Sequence, residues 1–422
     1  MSHTETRLTF FRQSGWMILA NTGCGVFMAA VHPFASAMPG PEYGVFYSML
    51  RLLTLLAIPA AGLQTVFAQQ AASAIDEKSR QMLASTARAV LFAIFGLWLL
   101  ICGAMLLIQN QVVQRLGLAS ALPLWITLLV VLAALWLPVV QGMVQGIQNF
   151  FSLGWSMISN GLGRFLAIVV IVWLLKGWAA GALVGVLIGF VLAVAVAGWH
   201  CLPILRAGSA AIAWKPWLGK VIPLTLGVGA TLFVMNADMV IVQSYFPKTV
   251  TPLYAAGAML GLALVTFTTP LAAVMFPKIV RSLARAEKSN AMALALGTTA
   301  LMGGLGAFVC TLFPELILRI LFFTKPEFLK TAPLIPWFMW CMLPVTLANV
   351  LIGNLLARDK FAVVPWLVAI AIGYGLTQLG YVKLASELVP PLQAFRTIVQ
   401  ILGAYSTLLL GVAAWFTFRP EK

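Results

Sequence analysis

The sequence predicts an all-α, polytopic membrane protein of about twelve transmembrane helices in two parallel six-helix lobes. Three observations carry this. Of 422 residues, 62% are hydrophobic and 9% charged, and mean hydropathy is +1.00, which leaves too little polar surface to coat a water-facing globule. Apolar stretches of ~20 residues, enough to cross ~30 Å of hydrocarbon, recur along the whole chain. The chain also repeats itself weakly at half its length. A shift of 211 positions carries Tyr43 onto Tyr254, Pro59 onto Pro270, Gly142 onto Gly353 and Phe150 onto Phe361, while Glu77-Lys78-Ser79 falls one position out of register on Glu287-Lys288-Ser289.

The spans run approximately over 13–38, 43–70, 83–109, 123–147, 150–175, 178–200, 221–246, 252–277, 291–313, 332–356, 362–385 and 392–418. Each is long enough for a tilted helix. Met1 to Arg12 is polar and amphipathic, and no small-residue cleavage site follows it, so no cleavable signal peptide is expected. The longest polar stretch carries Arg206, Lys215 and Lys220 and falls at the midpoint. The expected organisation is therefore an N-terminal lobe 1–205, a cytoplasmic linker 206–220 and a C-terminal lobe 221–422. Connections are too short for a soluble catalytic domain.

Twelve spans place both termini on one side. Sixteen of the 26 Lys and Arg fall on that side, among them Lys78, Arg80, Arg88 and the four from Lys278 to Lys288; eight fall on the other, and Arg51 and Arg164 lie inside spans. The positive-inside rule then puts both termini in the cytoplasm. Six spans per half make the repeats parallel, related by an axis along the membrane normal, with the substrate site expected between them. The net charge of +15 is thus a topological signal. Basic residues lack the aromatic interleaving of a nucleic-acid surface, so no nucleic-acid partner is expected.

Asn236-Ala237-Asp238-Met239-Val240-Ile241-Val242 followed by Leu253-Tyr254-Ala255-Ala256-Gly257 resembles the start of the second half of the bacterial polysaccharide flippases, members of the multidrug/oligosaccharidyl-lipid/polysaccharide exporter superfamily. Pro41-Glu42-Tyr43-Gly44-Val45-Phe46 matches the turn before the second helix, Gln145-Gly146-Ile147-Gln148-Asn149-Phe150 the turn between helices four and five, and Phe276-Pro277-Lys278 the end of the eighth. The resemblance implies that spans one, two, seven and eight line a central cavity. The branch that flips the peptidoglycan precursor usually has fourteen helices, and a count of twelve points away from it.

Charges inside the bilayer are the sharpest chemical signal, because each is costly unless it faces water, a partner or substrate. Arg51 lies eight residues into span two, ~12 Å deep at 1.5 Å per residue, and Asp238 lies at nearly the same depth from the same outer face. Arg164 sits near the middle of span five. One reading is a cationic cavity for the pyrophosphate of a lipid-linked sugar, since arginine stays charged and its planar fork fits phosphate oxygens. The other is a structural ion pair, Arg51–Asp238 or Arg164–Asp238. Asn21 and Asn236 add polar groups, and Gln141, Gln145 and Gln148 form one stripe that either meets sugar hydroxyls or joins helices. Pro59 and Pro270 would form paired hinges. The five cysteines lie within or at the ends of apolar runs without paired spacing, and no metal or enzyme constellation survives inspection.

The expected function is that of a transporter, not an enzyme. It would flip a lipid-linked oligosaccharide of O-antigen type across the bacterial cytoplasmic membrane by alternating access. Its partners would be a prenyl-pyrophosphate-linked sugar, membrane lipids and other polysaccharide assembly proteins. It needs no cofactor beyond a coupling ion, sodium or proton. The alternative is a cation-coupled multidrug exporter of the same superfamily.

Overall fold

The computed structural model describes residues 3–266, 291–323 and 325–419. Pro270, Phe276-Pro277-Lys278 and Glu287-Lys288-Ser289 lie outside the described residues. The described chain is helical from end to end: α1 (His3–Ala35), α2 (Gly40–Leu56), α3 (Leu63–Ser73), α4 (Glu77–Leu116), α5 (Leu122–Gly146), α6 (Phe150–Ile168), α7 (Trp178–Leu205), α8 (Trp214–Tyr245), α9 (Thr251–Thr266), α10 (Ala291–Leu312), α11 (Pro314–Leu321), α12 (Ile335–Ala357), α13 (Val364–Leu388) and α14 (Pro391–Phe418).

Among the described residues, eight helical runs are long and apolar enough to cross a membrane: α4, α5, α6 with the π turn Val169–Leu174, α7, α8, Pro326–Leu356, Phe361–Leu388 and α14. Two more are broken pairs: α2 with Ile58–Ser73, bent by 44°, and Leu296–Leu312 with α11, bent by 93°. With α1 and α9, these occupy the places of all twelve expected spans.

Packing interleaves the two halves of the sequence. One compact unit holds α1, Leu56–Gln114 and Leu118–Thr225; the other holds Ser36–Leu55, Arg115–Gly117 and the chain from Leu226 onward. All of α2 but its last residue thus packs with helices of the second half. The chain passes from the second unit into the first between Leu55 and Leu56, just before the 3-10 turn Ile58–Ala60, where Pro59 sits. Proline has no N–H to continue a helical ladder, which explains why span two breaks there.

Glycine permits the close crossings in the first unit. A Cβ on Gly142 would stand 2.5 Å from the Gln64 carbonyl oxygen, and one on Gly146 2.5 Å from that of Ala68, so α3 lies directly on α5. Across α6 and α7, a Cβ on Gly189 would stand 2.5 Å from the Asn160 carbonyl oxygen. Small residues drive helix association where lipid offers no hydrophobic gain.

Two junctions are fixed by polar chemistry. α7 ends at Leu205 and α8 begins at Trp214, so part of the expected linker 206–220 is helical. The rest is held on α4. Arg88 donates to the carbonyls of Leu205 (3.0 Å), Ala207 (2.9 Å) and Gly208 (3.3 Å) and to the Ser209 hydroxyl (2.9 Å), while the Ala210 N–H donates to Ser85 Oγ (2.9 Å). At the far end of α4, Gly117 adopts φ +61° and the Leu118 N–H reaches the Val113 carbonyl, a left-handed helix stop. Gln243 Nε2 donates to the Leu116 carbonyl (3.1 Å), and Lys248 Nζ to those of Arg115 (3.0 Å) and Gln243. A cation there meets the negative end of the helix.

Candidate functional site

α2 carries Arg51 into the second unit, where its side chain is 3% exposed. One terminal nitrogen donates to Asn236 Oδ1 (2.8 Å) and the Met235 carbonyl (3.2 Å); the other donates to the Ala258 carbonyl (3.0 Å) and the Tyr47 hydroxyl. Tyr47 stands one helical turn before Arg51, the spacing at which helix side chains meet, and its ring lies 4.7 Å from the guanidinium carbon. Asn236 is itself oriented, since its Nδ2 donates to the Leu232 carbonyl (2.7 Å). Arg51 therefore ties α2 to both α8 and α9.

Asp238 lies two residues beyond Asn236 and is also 3% exposed. Its Oδ2 accepts from the Tyr254 hydroxyl at 2.5 Å, and its Oδ1 has no hydrogen-bond partner. The Arg51–Asp238 ion pair considered from the sequence is not formed: no nitrogen of Arg51 comes within 4.0 Å of a carboxylate oxygen among the described residues. Helix geometry gives the reason. Residues two apart point ~200° away from each other, so a group on the Asn236 face cannot also grip Asp238. Tyr254 is wedged between Phe338 and Phe395, with ring centroids at 5.1 and 5.2 Å, which holds its hydroxyl on Asp238.

The first unit holds the other arginine. Arg164 on α6 is half-buried, and among the described residues it makes no hydrogen bond, ion pair or ring contact; its Nε is buried without a partner. Asn160, one turn earlier, likewise has an unpartnered buried Oδ1. A Cβ on Gly161 would stand 3.2 Å from Cys24 Sγ, so α1 crosses α6 beside this turn. Asn21, three residues before Cys24 on α1, is half-buried.

The glutamines behave as interhelical links. Gln141 Nε2 donates to Ser156 Oγ (3.0 Å), which donates to the Ala193 carbonyl (2.9 Å), joining α5, α6 and α7. Gln145 is exposed and accepts from Gln64 Nε2 (3.2 Å). Gln148 leaves the stripe, because α5 ends at Gly146 and Gln148 adopts φ +59° in the turn that Asn149 closes by capping α6 at the Ser152 N–H. A cleft of about 510 Å³ opens between α3, α4 and the start of α8, lined by Val66, Met82, Pro216 and Trp217 together with Gln70 and Lys220.

The structure thus brings Arg51 and Asn236 into direct contact beside Asp238, and sets Arg164, Asn21, Gln141 and Gln145 in the other unit. Sequence reading missed Tyr47, Tyr254 and Arg88. Only Tyr47 carried a local signal, its four-residue spacing from Arg51. Among the described residues, no three His, Cys, Asp or Glu group so as to hold a metal ion.

The family model described as lipid II flippase MurJ matches residues 63–389. No curated protein matches the chain. Among solved structures, the chain is similar to a multidrug resistance MATE family transporter of the MOP superfamily in its inward-facing conformation, with TM-score 0.67 at 13% identity over 96% of this chain and 94% of that one. It is also similar to that family's outward-facing form (TM-score 0.65, 12%, 97% and 94%) and to the eukaryotic MATE transporter AtDTX14 (0.66, 14%, 96% and 96%). At such identities the likeness is one of fold.

Proposed function

The chain belongs to the lipid II flippase MurJ family, and from that premise we propose that it flips a polyprenyl-pyrophosphate-linked saccharide across the bacterial cytoplasmic membrane. Membership corrects the expectation that twelve spans set the chain apart from the peptidoglycan-precursor branch. The match begins in the second half of span two and ends after span eleven, so it does not depend on any helices beyond twelve. Lipid II is accordingly the first substrate to test, ahead of an O-antigen-type oligosaccharide.

The observation that carries this reading is Arg164, an intramembrane cation to which the described residues offer no counter-charge and no hydrogen bond. A lone charge at that depth is retained where water or an anionic ligand meets it. A pyrophosphate supplies the oxygens that a guanidinium binds in bidentate fashion. Arg51 plays a second part. Its four acceptors are neutral, so a doubly charged phosphate would compete for it effectively. Substrate capture would then loosen α2 from α8 and α9, and Pro59 would take up the resulting change of angle. In this scheme a sodium or proton gradient, or membrane voltage, drives the cycle, and both termini lie in the cytoplasm.

A multidrug exporter fits less well. Cationic drugs call for acidic cavities, whereas the deep charges are two arginines against one aspartate. Proteoliposomes decide between the two. The protein should move lipid II to the opposite leaflet, read by its accessibility to an impermeant modifying enzyme, and should not accumulate a cationic dye. Dye transport without movement of any pyrophosphate-linked saccharide would reverse the assignment.

A further inference from the structure

α10 has 22 residues and so measures about 33 Å at 1.5 Å per residue, enough to cross the hydrocarbon unaided. α11 is therefore not needed to complete the span. It leaves Leu296–Leu312 at 93°, through Phe313, whose φ −127° and ψ 52° are not helical, and with Pro314 in its first turn. A helix perpendicular to a spanning helix runs along the membrane plane.

The eight residues of α11 divide into three sectors. Leu318 is buried (1% exposed) and faces the segment Pro326–Leu334. Glu315 and Arg319 form an exposed i,i+4 ion pair at 3.4 Å. Leu316 and Ile320, with Phe323 just beyond the helix, lie at i, i+4 and i+7 and are 54%, 64% and 63% exposed. This apolar row continues the exposed row of α10, Leu301, Leu305, Phe308 and Leu312, which a multi-pass protein turns toward lipid. A charged sector adjoining an apolar one, on a helix lying in the plane, matches the boundary between headgroups and acyl chains.

The buried side leads toward Arg51. Phe322 is 2% exposed and packs edge-on against Phe328 (4.8 Å) and Tyr43 (5.7 Å). Tyr43 stacks on Tyr47 (6.3 Å, 12°), whose hydroxyl accepts from Arg51. All of these residues belong to one compact unit.

We propose that α11 is an in-plane helix docked in membrane lipid through Leu316, Ile320 and Phe323, and that through Phe322 and Tyr43 it fixes the N-terminal end of α2, the helix that carries Arg51. The leaflet is the outer one if the orientation proposed above holds. Neither the docking nor its reach to α2 requires the protein to be a flippase.

Spin labels placed singly at Ile320→Cys and Arg319→Cys, in a variant whose five native cysteines are alanine, report the environment in lipid nanodiscs. Position 320 should be severalfold more accessible to oxygen than to a water-soluble nickel chelate, and position 319 the reverse. If position 320 is shielded from both reagents, a protein partner covers the row and the lipid assignment fails; if it is nickel-accessible, the row faces water and it fails as well. An impermeant thiol reagent should label position 319 from outside intact cells, and labelling only from the inside would refute the outer leaflet. Amide hydrogen exchange tests the reach to α2. Leu316→Ser with Ile320→Ser and Phe323→Ser, and separately Phe322→Ala, should speed exchange severalfold over residues 43–51 with α13 and α14 unchanged. Unchanged exchange over 43–51 in both variants would show that α11 does not hold α2.

Discussion

Arg51 donates to the side-chain oxygen of Asn236 at 2.8 Å, and the neighbouring carboxylate of Asp238 is held instead by Tyr254. The positive and negative groups of this buried cluster therefore bond to separate partners, and each keeps one buried atom without a hydrogen bond, Arg51 Nε and Asp238 Oδ1. Arg51 joins helices that are far apart in sequence, and Asp238 joins α8 to α9 within the second half. This separation makes the cluster testable residue by residue.

The first prediction is that Arg51→Ala and Asp238→Ala do not rescue each other. Were the two an ion pair, removing both would restore what removing one had cost. Here Arg51→Ala orphans the Asn236 side-chain oxygen and takes a donor from the Tyr47 hydroxyl, at an expected ~1–3 kcal/mol for the unsatisfied group, while the Met235 and Ala258 carbonyls remain in their helical ladders. Asp238→Ala orphans the Tyr254 hydroxyl, so the hydrogen-bond costs should add, and only the longer-range attraction between the two charges couples the variants. Thermal unfolding in detergent of both single variants and the double variant gives the coupling. A double variant much more stable than the sum predicts would restore the ion-pair account.

Arg164 should behave in the opposite way. Because it makes no hydrogen bond or ion pair among the described residues, Arg164→Ala removes a charge whose place at mid-membrane costs ~2.5–3.5 kcal/mol on insertion scales. The variant should insert and resist heat at least as well as the parent while losing lipid II flipping. Arg164→Lys should recover flipping in part, since a point charge cannot reproduce the bidentate fork. Full flipping by a well-folded Arg164→Ala protein would remove this residue from the substrate site.

Hydropathy made the spans legible, because a membrane imposes length and apolarity on each helix independently of its neighbours. The turn at Gly146–Phe150 was legible too, through the resemblance of Gln145-Gly146-Ile147-Gln148-Asn149-Phe150 to the superfamily's turn between helices four and five. Partners were not. Which unit receives α2, and whether Arg51 meets Asp238 or Asn236, depends on tertiary packing that leaves no local period in the sequence. α11 was hidden for a related reason: span nine was read to end at 313, which left Leu316, Ile317, Leu318, Ile320 and Leu321 in the connection that follows, and nothing local marks the 93° bend after Leu312.

Arg88 offers a prediction about the linker. Its four hydrogen bonds to residues 205–209 hold the connection between α7 and α8 on α4, and nearby chain termini or loops lacking such ties open readily. Arg88→Ala should speed amide exchange across 206–213 and make the segment sensitive to protease added at its own face of the membrane. Exchange unchanged from the parent would mean that Ser85 and the packing of Gly208 suffice.

The last prediction concerns pH. Burial lowers the Lys248 ammonium from 10.5 to about 8, in the loop between α8 and α9. The folded value lies below the unfolded one, so between about pH 8 and 10.5 the unfolded chain binds more protons at this site. The site's penalty on folding is complete below pH 8 and fades as pH rises through that window, so its contribution to stability increases with pH. Opposing this, deprotonation removes the charge that Lys248 presents to the last carbonyls of α4. Amine acylation followed by mass spectrometry reads the titration directly. Labelling of Lys248 in the folded protein should follow a midpoint near 8, and the midpoint should move to the ordinary lysine range once the protein is denatured. If the folded and denatured proteins give the same midpoint, the loop is open to water, and the capping of α4 by Lys248 described above does not persist in solution.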